Sequence, residues 1–506
     1  MVKYFILKLL KSNIDSIVAA IIGFLLVILL TRHSGLGISP DSIYYMSTAD
    51  SFLAGKGFYQ FDNKPFVMFP VFYPITLSLF KLFCGASFLH VVPFLNALLF
   101  GVTIFVSGLI LEQTNHSKWL KWVVLLIIAC SPGLLEVYTM LWSETLFITE
   151  VVLFIYCSKI YFEKLTVKHL LIMALVSAIA AETRLAGVSI IATGGLLILE
   201  SRALSWKKKF THAFIYGLIS VSLFVVNLLR NAALTQTLTG NRQKGITPFI
   251  VNLKYYGLVL SDWFPFSNLT NAYAVVLGFS FLIIVAVVFL YRLISAKEHH
   301  GFEKVAVGFT LMYSLFMLAV ATLSRFETIN NRLLSPFYIP CILTIGFYFA
   351  SILKFKLSNK LHVGISLVFV IVFLATITQY TKMNTATYNE NKEGGIGGYS
   401  DDDWLINSGL LNYLKVTPDF FLVGKPIYSN AAHAVYFNTQ QHVQILPERK
   451  YQNLVDEFNK TPSQLLIWFN NEDNPEVLSM SEVEVSKHLQ IISKFNDGVI
   501  YLCTSK

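Results

Sequence analysis

The residues in this chain that could do chemistry are acids and arginines placed at the ends of long apolar runs. Asp41 follows the first run, and Glu144 opens a later one within Trp142-Ser143-Glu144. Glu182 and Arg184 interrupt a pair of short runs, and Arg325, Glu327 and Arg332 lie between two late ones. Charge beside hydrocarbon is costly, so ionisable groups in such places are candidate functional residues. A carboxylate there can take a proton from a hydroxyl. An arginine offers a permanent charge and a forked set of donors suited to phosphate. Each also has a plainer role: Asp41 and Glu144 can cap helices, Glu182 and Arg184 can pair at an interface, and Arg332 can snorkel to headgroups.

The elements that must position these groups are membrane spans. The 506 residues are 55% hydrophobic and only 14% charged, where a soluble domain carries nearer a quarter charged residues. Several apolar runs approach the ~20 residues needed to cross a bilayer. Hydropathy predicts about eleven spans, near 14–31, 90–111, 122–140, 144–162, 169–182, 185–199, 210–230, 272–291, 305–323, 334–352 and 362–381. The two short ones at 169–182 and 185–199 read as a broken or re-entrant hairpin. The first run reads as a retained span rather than a cleaved signal peptide, because it is long and no A-x-A site follows.

Lysines such as Lys118, Lys121, Lys159, Lys164, Lys207, Lys208, Lys209, Lys297, Lys304, Lys354 and Lys356 fall in every second loop. The positive-inside rule makes those loops cytoplasmic, the N-terminus internal and the C-terminal tail external. The net charge of +9 therefore reflects topogenic lysines and not a nucleic-acid partner. All the acids and arginines singled out above fall on the external side, which points to an active site there. The five cysteines are scattered, with no CxxC, and indicate neither a disulfide framework nor a zinc site. No His/Asp/Glu cluster argues for a metal; no cofactor is called for, and dependence on a divalent metal stays open.

Two external segments exceed simple connectors: 32–89, and the tail after Lys382. The tail opens on Gly394, Gly395, Gly397 and Gly398 and then reads as a small α/β domain. Its strands are expected at 426–429, 465–469 and 489–502, its helices at 402–415 and 448–460. His433 and His442 lie in it without a ligand pattern. A moderate external loop, 231–271, carries Arg242, Lys244 and Lys254. The chain thus divides into a membrane domain, 1–381, and a C-terminal extracytoplasmic domain, 382–506.

The first loop is the most informative. It reads Ser39-Pro40-Asp41-Ser42-Ile43-Tyr44-Tyr45, with Ala49, Gly55 and Lys64 downstream, then Phe69-Pro70 and Tyr73-Pro74. Apolar residues at helical spacing after Pro40 predict an amphipathic surface helix with Asp41 at its N-terminus. This order of features resembles the GT-C glycosyltransferases, in the branch holding protein O-mannosyltransferases and the lipid A aminoarabinose transferase. Asp41, Tyr45, Ala49 and Gly55 fit that family's D-x-x-x-Y…A…G helix. Asn331-Arg332-Leu333-Leu334-Ser335-Pro336, with Pro340, fits its R-(Y/L)-x-x-P segment. The resemblance covers roughly residues 14–350. The chain departs from it at Asp41-Ser42, where many relatives have Asp-Glu, and at Phe69-Pro70, where many have two prolines.

The resemblance implies an integral inner-membrane enzyme that moves sugar from a polyprenyl-phosphate donor to a lipid, glycan or protein acceptor, with inversion. In that mechanism Asp41 is the base, and Glu144 orients the acceptor or replaces the missing second acid. Lys64, Arg184 and Arg332 bind the donor phosphate, and Tyr45 lines the substrate site. Three other readings stay open. An O-antigen ligase or polymerase-like enzyme would place its large loop late in the chain. A transporter would show inverted repeats. A scaffold would use the tail as its binding module and be indifferent to Asp41.

Overall fold

The computed structural model describes residues 13–85, 87–112, 117–264, 271–294, 301–354, 359–399, 402–422, 424–472 and 474–506. Among them, eight helices are long and apolar enough to cross a bilayer: Ile14–Thr31, Phe88–Glu112, Glu144–Lys164, Trp206–Thr235, Asn271–Ile294, Phe302–Leu323, Asn331–Lys354 and Asn359–Gly394. The pair Lys118–Ala129 and Pro132–Tyr138, bent by 50°, has the length and composition of a broken span or a re-entrant loop. The bend has a local cause: Ser131 caps the second helix by accepting from Leu134 N at 3.4 Å, and Pro132 starts it. The remaining two expected spans are the shorter helices Val167–Thr183 and Val188–Glu200. The chain is an integral membrane protein with a small mixed sheet near its C-terminus.

The chain divides into two compact units. The first comprises Met1–Arg32, Val67–Thr76 and Leu89–Glu390; the second comprises His33–Phe66, Leu77–Phe88 and Asn391–Lys506. The first unit is the helical bundle. Rows of apolar side chains point outward from it, among them Phe214, Leu218, Val226, Ile284 and Val287, which is unexceptional where the solvent is lipid. The short hairpin turns at Arg184, whose backbone is extended, through the single 3₁₀ turn Leu185–Gly187. Gly187 is required there, since a Cβ would lie 2.5 Å from the Ala180 carbonyl oxygen. The loop expected at 231–271 holds a further helix, Phe249–Asp262, whose Leu253, Tyr256 and Leu260 are buried. Its 14 residues are too few to span, so hydropathy alone passes over it. It crosses Asn271–Ile294 at Gly257 and Gly278, backbone against backbone.

The lysine-rich end of the bundle also carries acids. Lys121 is buried and reaches Asp15 at 2.8 Å and Glu112 at 2.5 Å. Lys159 pairs with Glu163 at 3.0 Å, Lys304 pairs with Glu200, and Arg292 lies 3.5 Å from Glu303. These acids sit in different helices from most of their partners, so the lysines tie the bundle together.

The second unit contains a five-stranded sheet in the order β2-β1-β3-β5-β4, formed by β1 (Ile427–Ser429), β2 (Gln444–Ile445), β3 (Ser463–Phe469), β4 (Lys487–Lys494) and β5 (Gly498–Ser505). β1 pairs in parallel with β2 and β3, whereas β5 runs antiparallel to β3 and β4. The single strand expected at 489–502 is therefore a hairpin, closed where Phe495 N donates to Gly498 O at 2.8 Å. Asn496-Asp497-Gly498 is the turn signal that divides it. The helix expected at 402–415 is likewise two, Asp403–Ile406 and Gly409–Val416, because Ser408 caps the second through Leu411 N at 2.9 Å. The helix expected at 448–460 is shorter, Gln452–Lys460. Two pieces of loop belong to the same unit as the sheet: 33–66, and the C-terminal half of the Phe72–Cys84 helix.

Candidate active site

In the helical bundle, three of the sequence candidates come together. Glu144 opens the Glu144–Lys164 helix and is fully buried. Its Oε2 lies 2.6 Å from Arg184 NH1, and its Oε1 accepts from Arg332 Nε at 2.5 Å. The two arginines arrive from different elements: Arg184 from the hairpin tip, Arg332 from the first turn of Asn331–Lys354. Arg184 NH1 also donates to Ser143 Oγ at 2.9 Å. The Arg332 guanidinium lies 4.2 Å from the Trp142 ring centre, a cation–π contact, and 3.8 Å from the half-exposed Glu327. One buried carboxylate thus faces two guanidiniums, with the half-exposed Glu327 at the edge of the cluster.

Each of these side chains is held from behind. Tyr313 OH donates to Leu333 O at 2.8 Å, and Asn330 Oδ1 accepts from Leu333 N at 3.1 Å, which fixes the start of the Arg332 helix. Asn331 locks that start to its neighbours: its Oδ1 accepts from Trp263 Nε1 at 2.9 Å, and its Nδ2 donates to Glu136 Oε2 at 2.8 Å. On the hairpin, Thr183 Oγ1 donates to Glu150 Oε1 at 2.8 Å, one residue before Arg184. Glu182 Oε1 accepts weakly from Val71 N at 3.4 Å, so the Phe69-Pro70 segment reaches the same hairpin end. Arg325 NH1 donates to Gln243 Oε1 at 3.0 Å and its backbone N to Gln243 O at 2.8 Å.

The other candidates lie in the second unit. Asp41 is partly exposed in the first turn of the Pro40–Leu53 helix, which begins with Pro40 and is capped by Ser39 and Ser42 in a reciprocal box. The helix is not the amphipathic surface element expected from its spacing: Ile43, Tyr45, Met46 and Ala49 are all buried. Tyr45 packs edge-on to Phe66, with ring centres 6.4 Å apart, and is 1% exposed. Lys64 is half-exposed and lies 3.4 Å from Asp62. Asp62 itself organises the turn at Asn63, accepting from Gln60 Nε2 at 2.9 Å and Lys64 N at 3.1 Å. Asp50 pairs with Lys81 at 2.5 Å.

Sequence reasoning missed Ser143 and Trp142 as partners of the arginines, although both adjoin Glu144. It also missed Asn331 and Glu136, whose contact joins residues 195 apart. No local spacing announces such a pair. Among the described residues no group of three or more His, Cys, Asp or Glu side chains converges as a metal site would require.

No known family profile matches the chain, and no curated protein matches it in sequence. Solved structures do match. ArnT from Cupriavidus metallidurans bound to undecaprenyl phosphate superposes with a TM-score of 0.57 over 97% of each chain, at 10% identity. Its apo state gives 0.51 at 11% identity, over 99% of this chain and 98% of that one. The arabinofuranosyltransferase AftD from Mycobacteria gives 0.54 at 12% identity, over 97% of this chain and 40% of that longer one. The superpositions extend along nearly the whole chain, and the protein has the GT-C membrane glycosyltransferase fold.

Proposed function

We propose that this protein is a glycosyltransferase that moves a sugar from a polyprenyl-phosphate carrier to a lipid, glycan or protein acceptor on the non-cytoplasmic face of the inner membrane. The observation that carries the reading is the pair Arg184 and Arg332 braced on the single buried carboxylate of Glu144. A polyprenyl phosphate presents its anion at the end of a long apolar tail. Two guanidiniums held in fixed geometry in a membrane bundle suit that ligand. The likeness to ArnT in complex with undecaprenyl phosphate supports the same donor class.

In this reading the acceptor hydroxyl oxygen attacks the anomeric carbon. The bond from that carbon to the phosphate oxygen breaks, and the prenyl phosphate departs with the electron pair. The hydroxyl proton passes to the Asp41 carboxylate, the base of a single inverting displacement. Arg184 and Arg332 stabilise charge on the leaving phosphate. Because both Glu144 oxygens are engaged by arginines, we assign Glu144 the brace and leave the base to Asp41. Lys64 is a further phosphate ligand, and buried Tyr45 shapes the helix more than it contacts substrate. The membrane part, 1–381, carries the reaction with an internal N-terminus, and 382–506 lies outside the cytoplasm.

The test is native mass spectrometry of the detergent-purified protein titrated with undecaprenyl phosphate. Wild type should retain one lipid phosphate per chain. The double variant Arg184→Ala/Arg332→Ala should lose it while keeping its helical content. Equal retention by the folded double variant would remove the phosphate site.

A further inference from the structure

The loop that carries Asp41 and the tail some 350 residues later form one structural unit, and the contacts between them cluster on one face of the Pro40–Leu53 helix. Tyr44 stands one helical turn from Asp41. Its ring meets Phe61 at 5.2 Å and His433 at 5.4 Å between centres. Phe61 and His433 approach to 4.6 Å, and Tyr399 stacks on His433 at 6.1 Å. His433 is the second residue of the helix Ala432–Thr439, which lies against the Pro40–Leu53 helix. Its Nε2 is shielded from solvent and has no hydrogen-bond partner among the described residues. Burial pushes its pKa down to about 4, against the attraction of the Asp62 carboxylate, so the ring packs as a neutral aromatic.

Two backbone tethers flank this aromatic cluster. His442 Nδ1 donates to the Phe61 carbonyl oxygen at 2.7 Å, and Tyr399 N donates to Ile38 O at 3.0 Å. The second tether needs glycine beside it. Gly398 has φ +91°, and a Cβ there would lie 2.1 Å from Ile38 O. Ile38 is two residues before the first residue of the Asp41 helix, Pro40.

We propose that His433 is a positioning residue, through which the C-terminal domain fixes the orientation of the Asp41 helix. The tail is in this view neither an appended binding module nor a spacer. It supplies one wall of the aromatic cluster against Tyr44 and anchors both ends of the loop, at Ile38 and Phe61. The consequence for sugar transfer rests on the proposed role of Asp41; the mechanical coupling does not.

Hydrogen exchange read by mass spectrometry on the full-length protein in nanodiscs separates the two. His433→Ala and Gly398→Val should each raise exchange of the Pro40–Leu53 amides about tenfold or more, while the Glu144–Lys164 helix stays protected. His433→Phe, which keeps an aromatic ring and drops the nitrogens, should restore wild-type protection. With a polyprenyl-phosphate sugar as donor, His433→Ala should lower kcat with the donor KM unchanged, and His433→Phe should recover it. Unchanged exchange of the Pro40–Leu53 amides in both His433→Ala and Gly398→Val would overturn the proposal, including when the tail itself loosens. Failure of His433→Phe to restore protection would overturn the assignment to ring packing. If exchange responds as expected and no variant changes turnover, the coupling stands and the role given to Asp41 fails instead.

Discussion

Replacing Glu144 with glutamine removes one charge and almost no volume, so it tests the brace with little disturbance of packing. In the wild type its two oxygens lie 2.6 and 2.5 Å from Arg184 and Arg332, whose side chains are 15% and 11% exposed. Glutamine offers one acceptor oxygen and an amide that is itself a donor. One arginine keeps a neutral partner, and the other meets N–H against N–H. Removing one side of a buried pair typically costs about 3–5 kcal/mol, much of it from the charge left uncompensated. The two contacts should not add, because Arg332 keeps the Trp142 face and the more distant Glu327. A total loss of about 3–5 kcal/mol is therefore expected, read as unfolding free energy in mixed micelles. Two freed guanidiniums should then bind lipid phosphate at least as well as before, so undecaprenyl phosphate should recover part of the loss by mass action. A Glu144→Gln protein within about 0.5 kcal/mol of wild type, the range of an ordinary surface change, would refute the buried brace. A destabilised protein that gains nothing from the lipid would refute the phosphate site.

Three further outcomes follow from particular contacts. Arg332→Lys keeps charge and loses the fork, so transfer should persist at a reduced level, while Arg332→Ala should raise the donor requirement by roughly 2–5 kcal/mol in apparent affinity; steady-state turnover against donor concentration distinguishes them. Gly257→Leu should prevent the close crossing of two helices, since even a Cβ would lie 1.8 Å from Ala274 O, and the purified variant should unfold well below the wild-type temperature in a thermal scan. The C-terminal unit should weaken in acid: His433 is held near pKa 4 when folded and near 6.5 when unfolded. The unfolded state then binds more protons between those values, so stability present above pH 6.5 falls as pH drops towards 4, by roughly 2–3 kcal/mol. His433→Phe should flatten that slope in a pH series of hydrogen exchange on the sheet.

Much of the membrane architecture was legible because hydrocarbon imposes one rule on every span. Each expected apolar run is helical, the one at 122–140 as two helices bent at Ser131, and the interruption at Glu182 and Arg184 marks a real turn. Glu144, Arg184 and Arg332 were legible as individuals, because charge next to lipid is rare. Their convergence was not, since it joins residues 188 and 40 positions apart through packing alone. The lysine-rich loops hid one feature: nothing in the spacing of Lys121 shows that it reaches Asp15 and Glu112. The helix after Pro40 misled. Its apolar spacing fits a membrane surface, yet Ile43 and Ala49 are fully buried. In the tail, Asn496-Asp497-Gly498 was available as a turn signal and was absorbed into one long strand. The partnership of His433 with Tyr44 left no mark in the sequence, because aromatic packing requires neither a motif nor a fixed interval.

The proposed activity is tested most directly by the release of free polyprenyl phosphate from a panel of polyprenyl-phosphate sugars. The protein is assayed in nanodiscs with envelope lipid extract as acceptor, comparing wild type with Asp41→Asn. Asp41 is partly exposed at a helix start, so the substitution should leave folding intact. Loss of a general base typically lowers rates about 10²–10⁴-fold. Wild type should release prenyl phosphate from at least one donor, and Asp41→Asn should fall by that factor. Release at equal rates by both proteins would contradict the account.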